Sequence, residues 1–150
     1  MRMALNSLAL HLHVSPTYVP MSDSNPDTET IPDIKTISDA LDAVVTFRDR
    51  RDWSQYHTPR HLSSALSIEI GELQEVLLWK TDEEIGEMLE EPEGQEPVAD
   101  EIGDILILAL LFCEETGIDP LDAIEKKLAK NAGKYPVDKA RGRSEKYSSL

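Results

Sequence analysis

The chain has 150 residues, with 29 Asp and Glu against 15 Lys and Arg, so its formal charge is −14 and its pI is near 4.6. That length suits one domain with a core of its own, and that charge opposes nonspecific binding to nucleic acid or to an anionic membrane. A single cysteine, Cys113, excludes an intrachain disulfide and fits a reducing, cytoplasmic setting.

The chain opens with Arg2 and an apolar stretch from Leu5 to Val14, a faint likeness to a signal peptide. His11 and His13 interrupt it and no small-x-small cleavage site follows. The first twenty residues read instead as a dispensable extension, with Met21 as an alternative start. From Ser15 to Lys35 the chain places Pro16, Pro20, Pro26 and Pro32 among Ser, Thr and Asp, a composition that predicts a disordered arm over residues 1–35. The folded domain is expected over residues 36–150.

Thr36 with Asp39 marks a helix start, and Leu41, Val44, Val45, Phe47 and Arg48 predict an amphipathic helix to about Trp53. After Tyr56 and His57, Thr58 can cap a second helix with Pro59 at its first position. Its apolar residues, from Leu62 to Leu77, carry it to about Trp79. The Glu-rich stretch from Thr81 to Gly94 predicts a short helix and then an exposed loop. A third long helix is expected from Pro97 to Thr116, stopped by Gly117, and a fourth from Asp119-Pro120 to about Gly133. The apolar run from Ile105 to Phe112 is too short to span a membrane and predicts a core helix, with Cys113 as an inert neighbour. No strand pattern persists. The fold class is therefore all-α, a small four-helix-type bundle that completes its core by oligomerising.

Two acidic motifs stand inside these apolar helices: Glu69-Ile-Gly-Glu72 and Glu101-Ile-Gly-Asp104. Residues three apart on a helix share a face, so each motif directs two carboxylates one way, and two such helices side by side would gather all four. Like charges held that close destabilise the fold unless a cation neutralises them. Oxygen ligands without thiolate or imidazole favour Mg²⁺, with Mn²⁺ as a possible substitute. A di-iron carboxylate site would need Glu-x-x-His, which neither motif provides. Eight of the fifteen basic residues fall between Lys126 and Lys146. Among them Lys127, Lys130 and Lys134, with Asn131, recur at helical spacing and can face one anion.

With these motifs the chain resembles the MazG-like nucleoside triphosphate pyrophosphohydrolases, an all-α family whose signature is Glu-x-x-Glu followed by Glu-x-x-Asp. Further segments are similar to the dCTP pyrophosphatase branch: Phe47 to Trp53, His57-x-Pro59-Arg60, Trp79-Lys80-Thr81, Lys130-Asn131 with Lys134-Tyr135-Pro136, and Ala140-Arg141-Gly142 through Tyr147. The resemblance runs from about residue 40 to the C-terminus. It implies hydrolysis of a nucleoside triphosphate, dCTP or a related or modified pyrimidine deoxynucleotide, to the monophosphate and pyrophosphate. It also implies metal ligation by Glu69, Glu72, Glu101 and Asp104, and assembly as a dimer or tetramer. Glu69 or Glu72 is expected to act as the base. Trp53 and Trp79 match places associated with the base pocket in that branch, and indole faces suit stacking. His57 and Tyr135 are further candidates for contact with substrate.

Two departures bear on selectivity. Where that branch carries a histidine on the first helix and an aromatic four residues past the motif aspartate, this chain has Val44 and Leu108. Base discrimination rests on buried hydrogen bonds, and apolar side chains remove that lever. The rival expectation is a noncatalytic helical module that binds a cation or a nucleotide for regulation; a third is hydrolysis of another phosphorylated metabolite.

Overall fold

In the computed structural model of the chain, residues 30–149 are described; the first 29 residues of the expected arm lie outside them. Among the described residues all regular structure is helical. In chain order it comprises α1 (Ile37–Asp49), a 3₁₀ turn (Ser54–Tyr56), α2 (Pro59–Leu77), α3 (Asp82–Glu90), α4 (Pro92–Thr116), α5 (Pro120–Lys134), α6 (Val137–Ala140) and a last 3₁₀ turn (Tyr147–Ser149). The all-α class and the four expected long helices are present as α1, α2, α4 and α5. The chain divides into two compact units between Phe112 and Cys113.

The caps follow from local hydrogen bonding. Thr36 accepts from the Asp39 N–H at 3.1 Å while Asp39 accepts from the Thr36 N–H at 2.9 Å. Thr81 and Glu84 make the same reciprocal pair at α3. Thr58 accepts from the His61 N–H and Asp119 from the Asp122 N–H, each ahead of a proline in the first turn. Gly117, at φ 66°, ends α4: its own N–H bonds the Glu114 carbonyl and the Ile118 N–H bonds that of Cys113.

Three boundaries differ from the sequence reading. The first helix stops at Asp49 rather than near Trp53, because Asp52 adopts a left-handed φ of 53° and turns the chain; aspartate is among the few side chains that tolerate that region. The second stops at Leu77, with Trp79 left-handed at φ 68°. The third helix starts at Pro92, five residues before Pro97, so Pro92-Glu93-Gly94 forms its first turn instead of an exposed loop. Glu91 alone joins α3 to α4, its carbonyl accepting from the N–H groups of Gly94 and Gln95 at 3.0 Å. Pro97 then lies inside α4 as its sixth residue, where it cannot donate to the Glu93 carbonyl one turn before it.

In the first unit α1, α2 and α4 pack around Leu62, Ala65 and Leu111, which are at most 5% exposed. Many other apolar side chains stay open to solvent, among them Ile68, Ile70, Leu78, Leu106 and Ile107. Arg48 is the buried charged residue of α1, its Nε 2.7 Å from Asp49 Oδ1.

The tight α3–α4 corner depends on Gly94, where an added Cβ would overlap the Met88 carbonyl oxygen. Gly94→Ala should lower the thermal midpoint, by about 1–3 kcal/mol of stability, as overpacking does. Gly86→Ala in α3, where a Cβ meets nothing within 4 Å, should instead stabilise by about 0.5–1 kcal/mol through helix propensity. Thermal melts of the two variants check the contrast.

Candidate active site

Both acidic motifs lie within regular helix, Glu69 and Glu72 on α2, Glu101 and Asp104 on α4. The packing of the two helices brings carboxylate oxygens of Glu69, Glu72 and Glu101 within 4.8 Å of one another. Asp104, one turn beyond Glu101, is outside that trio but faces a cavity of about 470 Å³ whose wall also includes Glu69 and Glu72. All four side chains are half-buried.

Glu101 Oε2 is buried without a hydrogen-bond partner. The electrostatics follow. Burial first, then the charges of Glu72, Asp104 and Glu101, pushes the Glu69 carboxyl up from an ordinary 4.5 to about 7. Glu101 is raised by burial and by Glu72, Asp104 and Asp100, and Asp104 by burial and by Asp100. A cluster of close carboxylates, three of them with raised proton affinity and one oxygen orphaned, is a donor set that fits a hard divalent cation.

The cavity lies within the first unit. Trp53 and His57 both line it, their rings 6.5 Å apart, and Phe47 meets Trp53 edge-on at 6.1 Å. The Arg51 guanidinium lies over the Phe47 ring, 3.4 Å from its centroid and 5.8 Å from that of Trp53, and donates to the Phe47 carbonyl at 2.9 Å. Val44 and Leu108 also line the cavity, so the two apolar departures seen in the sequence fall on its wall.

Other candidates are placed elsewhere. Trp79 is 92% exposed and not part of the cavity wall. Lys127, Lys130, Asn131 and Lys134 lie on α5 and Tyr135 caps it, all in the second unit. There Tyr135 meets Tyr147 edge-on at 6.0 Å, and Lys134 Nζ stands 5.0 Å over the Tyr147 ring, which ties the end of α5 to the tail.

The sequence reading missed Ile31, Ile34, Tyr56 and His61, which the structure places on the cavity wall. Ile31 and Ile34 precede the first helix and carry no periodic signal. His61 had one: it lies on the stripe of α2 that continues through Leu62, Ala65 and Ile68 to Glu69 and Glu72.

A half-buried cluster of four carboxylates, two from each of two helices at the edge of a mixed aromatic and apolar cavity, defines a helical protein built around an acidic centre that could hold a cation. Residues 64–150 match the MazG-like family. The dCTP pyrophosphatase 1 proteins of Bos taurus and Homo sapiens are each 36% identical over 115 residues, 77% of this chain and 68% of theirs. A solved pyrophosphatase from Archaeoglobus fulgidus is 38% identical, superposing with a TM-score of 0.62 over 72% of this chain and 99% of its own. The chain belongs to the MazG-like family.

The raised carboxyls make cation-free stability depend on pH with a definite sign. Between 4.5 and about 7 the native Glu69 holds a proton that the unfolded one has lost, so this group's contribution to stability falls as pH rises through that window. Without divalent cation, Glu69→Gln should flatten the decline in melting temperature between pH 5 and 8. Added Mg²⁺ should raise the wild-type midpoint more at pH 8 than at pH 5; equal shifts at both would contradict the coupling.

Proposed function

We propose that the acidic cluster and the adjoining cavity form the active site of a nucleoside triphosphate pyrophosphohydrolase that works with Mg²⁺, or Mn²⁺ in its place, on dCTP or a related pyrimidine deoxynucleotide. The chain is an enzyme of the nucleoside triphosphate pyrophosphohydrolase class; its family and its identity to the dCTP pyrophosphatase 1 proteins support that assignment. The observation that carries the site reading is the meeting of Glu69, Glu72 and Glu101 oxygens within 4.8 Å, with Glu101 Oε2 buried and unsatisfied.

In the proposed reaction, water attacks the α-phosphorus and the bond from that phosphorus to the oxygen bridging the α- and β-phosphates breaks. The products are the nucleoside monophosphate and pyrophosphate. When bound, the cation supplies positive charge against the triphosphate oxygens and acidifies water. Glu69, Glu72, Glu101 and Asp104 are the residues that would hold it. Glu69 or Glu72, both on the cavity wall, takes the proton from the attacking water. Trp53, set in place by Phe47 and Arg51, offers a face for the base, with His57 beside it. On α5, Lys127, Lys130 and Lys134, with Asn131 and Tyr135, are proposed as donors to phosphate oxygens.

We also propose that the chain works as a homodimer or homotetramer. Ile68, Leu78 and Leu106, each about half exposed, and Trp79, almost wholly so, amount to more apolar surface than a lone chain keeps in water. No helix among the described residues is long and apolar enough to cross a membrane.

Incubation with Mg²⁺ and a panel of canonical and modified nucleoside triphosphates, with products resolved, tests the reading. Monophosphate plus pyrophosphate is the expected outcome. Orthophosphate as the released product would contradict cleavage between the α- and β-phosphates, and no turnover with either metal would favour the regulatory binding module or a substrate outside nucleotides. Glu72→Gln and Asp104→Asn should each reduce kcat/KM by about a hundredfold or more, the scale of losing one charge-stabilising group, with unchanged circular dichroism.

A further inference from the structure

On the pyrophosphohydrolase reading of the cavity, we propose that His61 reads the base: its ring accepts a hydrogen bond from an exocyclic amine, which selects cytosine-type over uracil-type nucleotides. His61 is the third residue of α2, and its backbone N–H is held by Thr58 Oγ1 at 3.3 Å. Its ring Nδ1 lies 3.2 Å from the Tyr56 carbonyl oxygen. A carbonyl can only accept, so Nδ1 carries the proton, and in the neutral imidazole Nε2 is left with a lone pair. The backbone thus sets the tautomer that makes this ring an acceptor.

Position along the helix matches the role. His61, Glu69 and Glu72 all line the same cavity and belong to one helix. At the rise of an α-helix, Glu69 lies about 12 Å along the axis from His61, and Glu72 about 17 Å. That interval is comparable to the reach of a nucleotide from its α-phosphorus to the far edge of its base. With the phosphate end at the carboxylates, the base edge falls toward His61.

Several other wall residues are unsuited to this task. Val44 and Leu108 have no polar group to offer. Arg48 also lines the cavity, but a guanidinium only donates and cannot accept from an amine. A cytosine amine gives His61 Nε2 a donor. A uracil or thymine puts a carbonyl oxygen there, lone pair against lone pair, and leaves the nitrogen unsatisfied. The apolar neighbours accept a methyl group at the pyrimidine 5-position without loss of that contact.

The test compares pairs that differ in the 4-amine or 4-carbonyl and the N3 proton that goes with the carbonyl: dCTP with dUTP, and 5-methyl-dCTP with dTTP. Wild-type protein with Mg²⁺ should favour the amine member of each pair by about tenfold or more in kcat/KM. His61→Ala should bring both ratios close to one, and His61→Gln, whose amide oxygen can accept, should restore part of the preference. Calorimetric titration with dCMP and dUMP, free of divalent cation, should show the same order and the same loss, independent of turnover. If His61→Ala lowers both members equally, the ring only anchors the turn at Tyr56 and the proposal falls; a wild-type preference for carbonyl bases overturns it as well. Absence of turnover with every triphosphate would strike the pyrophosphohydrolase reading itself, whereas a lost ratio with turnover intact strikes only the role of His61.

Discussion

Repulsion among Glu69, Glu72, Glu101 and Asp104 is the constraint around which the first unit is organised. Helix packing forces these carboxylates together, and partial burial raises the proton affinity of Glu69, Glu101 and Asp104. One Glu101 oxygen is buried without a hydrogen-bond partner. A fold that accepts such a cost at the centre of two apolar helices does so where an external positive charge completes it.

The cavity is defined by the way α1, α2 and the carboxylates share it. One stripe of α2 runs from His61 through Leu62 and Ala65 to Glu69 and Glu72, so a single rigid helix connects polar chemistry at its start with acidic chemistry farther along. The left-handed turn at Asp52 brings Trp53 to the cavity while Arg51 lies over Phe47. A helix continued to Trp53 would have carried that indole round the helix axis instead. The short turn to Tyr56 places the carbonyl that orients His61. Local backbone geometry thereby reaches the prospective base pocket with no long-range device.

Much of this was legible in the chain itself because its causes are local. Thr36, Thr58 and Asp119 cap the helices they were expected to cap, and Gly117 ends α4, since caps and stops are decided within four or five residues. Pro97 misled, because a proline reads equally well as a first residue and as one tolerated a turn later; the choice went to Pro92 through the close approach of Gly94 to Met88. Trp79 was paired with Trp53 on resemblance, yet in a single chain the two differ completely: one lines the cavity, the other stands in solvent.

By itself the sequence determined the all-α class, the helix caps, the pairing of acids three apart and the excess of negative charge. Each of these follows from spacing along one strand of chain. Only the tertiary structure decided that oxygens of Glu69, Glu72 and Glu101 meet while Asp104 turns to the cavity. It alone brought Ile31, Ile34 and His61 to the same wall and set the His61 Nδ1 against the Tyr56 carbonyl. Those outcomes depend on the angle and register at which helices pack and on hydrogen bonds between separate segments, quantities that no periodicity encodes.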